Sequence, residues 1–339
     1  MKPAILTIPA LLLLAATTFA DGFHSPLLRN KDPKRWGETT RQNLGLDKSD
    51  TAEEEDGAGD GFRRRAAAGQ LVDVLKYLDR KNVLLREFPD FNYDKIPEFK
   101  SETEAILIAI GKDAVPLLVD TIIADMRGTV ANQGGLTRVD DLRDRVVRIL
   151  IAIGEDSLEK VMQHLTDTNA KVRAVMLKIV RAIVTDPDFG TSVPLWQRWH
   201  KIYLAGAKRD VKAVPEVIAA LSDADRRICR AAAKALGEIR SRQAVPKLME
   251  LLDKNRDPAT VTAVCRALAK IGDRRATPRL IDLLEHEKIA VRTEAATALR
   301  FLTRAMHGYE PNASLEKRTA AVLKWRQWWE REMLKSAGK

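Results

Sequence analysis

Three segments in the C-terminal half constrain this fold more than any other feature. "AVPEVIAALSDADRRICRAAAKALGEI" begins at Ala213, "AVPKLMELLDKNRDPATVTAVCRALAKI" at Ala244 and "ATPRLIDLLEHEKIAVRTEAATALRFL" at Ala276, so the starts lie 31 and 32 residues apart. Apolar residues recur within each segment at three- and four-residue spacing, the mark of amphipathic helices. Each segment reads as two helices. Pro215, Pro246 and Pro278 fall in the first turn of the first helix, where a missing N–H costs nothing. Gly237 and Gly272 fall near the end of the second, where glycine ends helices well. Asp257-Pro258 suits the start of a second helix. A helix pair this short cannot bury its apolar faces alone, so it must stack on copies of itself. The expectation is an all-α chain, an α-solenoid of about six to seven helix pairs.

The pattern extends upstream. "AIGKDAVPLLVDTII" (109–123) has the same Gly-to-Pro junction, and 148–183 supplies the next helices. An earlier pair is 66–78 with 101–111, the latter opening on a Ser-x-x-Glu capping box at Ser101. Irregular stretches at 80–98 and 127–140 interrupt the series.

These residues resemble the HEAT-repeat family, in particular the short units named after phycobilisome lyases, and an exported bacterial form of it. An apolar-Arg step opens the second helix in "KVRAVM" and "AVRTEA", and the "ALGEI" and "AKIG" endings with "AVP" restarts fit as well. With Leu150, Val180, Leu236, Leu268 and Leu299 set equivalent, the position seven residues earlier holds Arg143, Arg173, Cys229, Val261 and Arg292. The resemblance implies an Arg–Asp ladder between repeats, interrupted at Cys229 and Val261. It implies a fold but little about function.

Three of the six tryptophans crowd "LKWRQWWEREM" (323–333). Trp325, Trp328 and Trp329 share one helical face. Residues 184–199 and 302–329 follow a common plan: Thr185 then Gly190 then Trp196 and Trp199; Thr303 then Gly308 then Trp325 and Trp328. We read this as an internal duplication, a stack of repeats closed by a Trp helix, twice. A solenoid end must be covered, and large aromatics bury ~150–250 Å² each. All five tryptophans are therefore expected to be structural caps rather than a binding box or membrane anchor.

The expected organisation is a signal peptide at 1–20, a disordered polar linker at 21–65, repeats at 66–206 ending in the W-x-x-W helix, and repeats at 207–339 with the Trp-rich cap. "MKPAILTIPALLLLAATTFA" has a Lys, an apolar run and a small-residue end, the pattern of an exported chain cleaved after Ala20. That expectation places the protein in the periplasm or outside the cell. The linker carries "DKSDTAEEEDGAGDGFRRR" and no apolar period.

Charge is uneven. Residues 191–339 hold 30 basic and 17 acidic side chains, against a net charge of +10 for the whole chain. Cations recur at the turn between one repeat and the next: Lys208 and Arg209, Arg240 and Arg242, Arg274 and Arg275, then Arg304. Equivalent turns of a solenoid stack, so these predict a basic ridge, with Lys234 and Arg266 as a second row on the second helices.

Catalytic patterns are sparse. "DFG" at 188–190 lacks any accompanying phosphate loop. The five histidines are scattered, and His286-Glu287 is a single pair where di-iron HEAT-like hydroxylases use several. Cys229 and Cys265 fall on neighbouring helices out of disulfide register. No metal, cofactor or catalytic residue is expected. The function expected is a non-enzymatic exported scaffold binding a protein or peptide. The alternatives are a binder of an anionic polymer or membrane surface through the basic half, and an enzyme whose groups meet only in three dimensions. The export signal argues against intracellular nucleic acid.

Overall fold

The computed structural model describes residues 32–46, 58–78, 93–128, 139–254 and 257–337. The expected signal peptide and most of the 80–98 and 127–140 stretches lie outside these. The described residues form helices α1 (Pro33–Asn43), α2 (Ala58–Leu78), α3 (Ile96–Ile110), α4 (Val115–Met126), α5 (Val139–Ile153), α6 (Glu155–Gln163) and α7 (Ala170–Ile183). They continue with α8 (Val193–Ala207), α9 (Val214–Ala220), α10 (Arg226–Ile239), α11 (Val245–Lys254) and α12 (Pro258–Ile271). The last three are α13 (Thr277–Asp282), α14 (Ile289–Thr303) and α15 (Leu315–Ala337). No strand occurs among the described residues. The protein is an all-α solenoid.

The chain divides into two compact units, one ending at Asp188 and the other beginning at Phe189. In the first, α3, α5 and α7 pack in series as one layer and α4 packs on α6 in the other, with α4 against α5 and α6 against α7 closing the pairs. α1 packs on α3, and Arg41 of α1 reaches Glu102 of α3 at 2.6 Å. In the second unit α8, α10, α12 and α14 stack in series, and α9, α11 and α13 pair with α10, α12 and α14.

Two sequence expectations change here. Residues 33–43 and 58–65, read as linker, are helical: Asp32 accepts from the Lys34 N–H and Pro33 sits in the first turn, a start signal hidden by a weakly apolar stretch. The boundary falls at 188/189 instead of 206/207. The W-x-x-W helix α8 does not end the first set of repeats; it is the first stacked helix of the second unit, with Ile202, Ala205 and Gly206 buried in a face that meets α10.

Local chemistry explains the pair boundaries. Asn169, Asp225 and Asp257 cap α7, α10 and α12 by accepting from the N–H groups of Lys171, Arg227 and Thr260. Short 3-10 turns at Val211–Ala213, Arg242–Ala244 and Arg274–Ala276 lead into α9, α11 and α13, each with its proline in the first turn. Ser101, expected to open a helix, lies inside α3, which starts earlier at Ile96 with Pro97 beside it. The core repeats with the sequence. Leu236, Leu268 and Leu299 are buried, as are Ala235, Ala267 and Ala298 beside them. Each buried Leu contributes roughly 2 kcal/mol.

Gly237 does not end its helix. It lies within α10, and a Cβ there would stand 2.9 Å from the Cα of Ala267 on α12. Gly206 on α8 bears the same relation to Ala235 on α10, also at 2.9 Å. Both glycines let successive helices approach closely, in one register.

Candidate interaction surface

The end of each stacked helix in the second unit makes the same backbone move. Arg209 (φ 49), Arg240 (φ 58), Gly272 (φ 76) and Arg304 (φ 59) all take the left-handed conformation after α8, α10, α12 and α14. Glycine adopts it freely, whereas any other L-residue meets its own Cβ at a cost of about 1–2 kcal/mol. The sequence marks only Gly272 as such a site; nothing in the chain's pattern reveals that three arginines share its geometry.

The turns follow one another along an edge. An Arg275 Nη2–H donates to the Arg242 carbonyl of the preceding repeat at 3.3 Å. Lys208, Arg209, Arg240, Arg242, Arg274, Arg275 and Arg304 are all exposed. Their electrostatic states differ. Arg275 is held by Asp273 through Nε at 3.1 Å and Nη2 at 2.7 Å, and this contact draws the Asp273 carboxyl below its ordinary range. Arg209, Arg240, Arg242, Arg274 and Arg304 form no ion pair among the described residues. Of the second row, Arg266 is bound to Glu294 at 2.9 Å, while Lys234 is exposed. The basic rows are thus narrower than the sequence suggested, because Arg275 is neutralised by Asp273 two residues before it and Arg266 by Glu294 on the next stacked helix.

The stacked-helix face is tied together by pairs between successive repeats. Lys270 of α12 meets Glu238 of α10, Arg266 meets Glu294 of α14, and Arg198 of α8 reaches Asp223 at 2.6 Å. The arginines expected to form a ladder act differently. Arg173 Nη1 donates to the carbonyls of Asp167 and Thr168 at 2.7 and 3.0 Å, and Arg292 Nη1 to those of His286 and Glu287 at 2.8 Å. Arg292 also donates to the Pro311 carbonyl, from Nε at 3.1 Å and Nη2 at 3.0 Å. They tie each helix to its own preceding turn. Cys229, standing in the same position, donates its thiol to the Asp223 carbonyl at 3.1 Å. Arg143 alone of the three pairs with an aspartate, Asp125, at 2.8 Å.

The tryptophans fall into two matching clusters. Phe189 lies edge-on to Trp196 at 5.1 Å, and Trp196 edge-on to Trp199 at 5.9 Å. His307 lies edge-on to Trp325 at 4.5 Å, and Trp325 edge-on to Trp328 at 5.6 Å. Phe189 and His307 each precede a positive-φ glycine, Gly190 and Gly308. Trp196, Trp199 and Trp325 are buried, whereas Trp328 and Trp329 are half-buried. α15 packs on α13 and the turn after it, where Arg326 bonds Glu285 at 2.7 Å.

The chemistry available is that of a surface. Burial pushes the Cys265 thiol up to about 12 and the Cys229 thiol upward, so both stay protonated at neutral pH. Among the described residues no His, Cys, Asp and Glu group is placed to hold a metal, and no helix is long and apolar enough to cross a membrane. An open groove is lined by Arg198, Lys201, Ile202, Glu216 and Val217 of α8 and α9, and Lys201 pairs with Glu216 at 2.6 Å beside it.

A family model described as HEAT repeats matches residues 198–264, 214–300 and 255–313 in overlapping windows. These windows run from within α8 to beyond α14. No curated protein matches the chain. Stacked pairs, 31–32-residue period and family match agree, and residues 198–313 are HEAT repeats.

Proposed function

We propose that this chain is a non-catalytic scaffold that is exported and holds a protein partner against the stacked helices of residues 189–339. HEAT repeats commonly mediate protein–protein interaction, and the fold here presents the same helix face once per repeat. The observation that carries the reading is the row of exposed, unpaired cations on that stack, Lys234 on its face and Arg209, Arg240, Arg242, Arg274 and Arg304 along its edge. Buried, protonated cysteines and scattered histidines supply no competing chemistry at the same place. Export rests on the sequence of residues 1–20.

A photo-crosslinking residue at Lys234, with a second at Lys247 on α11 of the other layer, tests it in cells. The expected result is one protein crosslinked from position 234 and not from position 247. Equal labelling from both positions, or crosslinks to lipid or glycan alone, would sink the scaffold assignment. Sequencing the mature N-terminus checks export separately, with Asp21 as the expected first residue.

A further inference from the structure

We propose that the edge formed by the turns after α8, α10, α12 and α14 binds an extended acidic segment of the protein partner, one carboxylate per repeat. The proposal rests on the scaffold reading and names its partner's chemistry.

The strongest observation is conformational. Arg209, Arg240 and Arg304 occupy a left-handed position for which glycine is the favoured residue, and the chain does use glycine at the fourth such turn, Gly272. At that fourth turn the cation appears two residues later, as Arg274. What the four turns share is therefore an exposed arginine and not a fixed position for it. Favourable interaction with the helix dipole does not account for this. Lys270 supplies a cation in the last turn of α12 while leaving Gly272 in place. A residue kept in a disfavoured backbone state at three equivalent sites points to a use for its side chain.

The second observation is spacing. Gly206 meets Ala235 and Gly237 meets Ala267 in the same register, each three residues before its left-handed arginine. The arginines are thus displaced from turn to turn by one helix-to-helix step, about 8–10 Å. A peptide in the extended polyproline II conformation rises ~3.1 Å per residue with three residues per turn, so residues three apart share one face and span one step. Acidic residues at every third position would meet successive arginines, and a guanidinium binds a carboxylate through two parallel N–H bonds.

The third observation selects against a continuous polyanion. Carboxylates stand between the arginines: Asp210 is exposed beside Arg209, and Asp273 lies between Arg242 and Arg275. A duplex with a charge every ~1.7 Å would press phosphates against them. A peptide with one carboxylate per step avoids both.

The test uses the full chain and two labelled twelve-residue peptides of one composition. The first has Glu at every third position among Gly and Ser; the second has its four Glu contiguous. Inorganic polyphosphate is the third probe. The variant is Arg209→Gly, Arg240→Gly and Arg304→Gly together, which relieves backbone strain, so its fold is expected to hold or gain in thermal stability. We expect the spaced peptide to bind best and the variant to lose about tenfold or more of that affinity with an undiminished melting temperature. Equal binding of the spaced peptide by variant and native chain overturns the proposal. So does preference for polyphosphate or the contiguous peptide, or absence of peptide binding at millimolar concentration. If the Lys234 crosslink to a protein persists while peptide binding fails, the scaffold stands and the acidic edge falls.

Discussion

Gly237 and Arg240 lie three residues apart at the end of α10 and oppose each other in kind. Gly237 is small because Ala267 of the next helix leaves no room, and Arg240 is large where the backbone would favour glycine. Exchanging their characters should therefore move stability in opposite directions. Gly237→Val is expected to cost about 2–3 kcal/mol by forcing α10 and α12 apart, while Arg240→Gly should gain about 1 kcal/mol. Urea denaturation of the two variants checks this, and a Gly237→Val chain as stable as the native one would show that the helices tolerate separation. Both residues were visible in the sequence, but their roles were not. A glycine near a helix end reads as a stop signal until the neighbouring helix is seen beside it.

At the scale of the element, α15 and the loop before it form a unit whose stability depends on pH. His307 sits at positive φ with its ring against Trp325 and Trp328. Burial favours its neutral form, and Arg331 adds repulsion, so its pKa in the folded chain lies below the ordinary 6.5. Between these two values the unfolded chain binds more protons than the folded one, so acidification favours unfolding. Stability present above pH 6.5 is lost as the pH falls through the lower folded value. His307→Phe, which copies Phe189 of the first cluster, should remove that part of the pH dependence. Melting curves from about pH 7 down to about pH 5 read it directly. The carboxyls of Asp225, Asp257 and Asp273, drawn below 3.8 by their hydrogen-bond partners, act only in more acid solution. An unchanged slope in His307→Phe would place the acid sensitivity elsewhere. The common plan of the two tryptophan segments was legible in the sequence. That α8 begins a stack while α15 packs on α13 in the other layer was not, because the same W-x-x-W face serves either end.

Across the second unit, each helix touches chiefly its neighbours in the stack. Stability in such an array is a sum of repeat and nearest-neighbour terms. A lesion at one junction should therefore fade with distance. In Gly237→Val, amide exchange is expected to rise most in α10 and α12, less in α14, and least in α15. A uniform rise across α8–α15 would mean the unit unfolds all at once.

The helical class, the 31–32-residue period, the pairing of helices and the recurrence of cations at one turn follow from local spacing and local caps. Which helix lies alongside which is a matter of packing, not of local pattern. That packing set the boundary at 188/189, turned Gly237 from a stop into a contact and revealed the left-handed arginines as equivalent to Gly272. It also took Arg266 and Arg275 out of the free basic edge. Apart from the local Arg275–Asp273 pair, one cause underlies these outcomes. Helical period and capping are properties of a few consecutive residues, whereas close approach, ion pairing across repeats and the alignment of turns depend on groups about thirty residues apart that meet only when the stack forms.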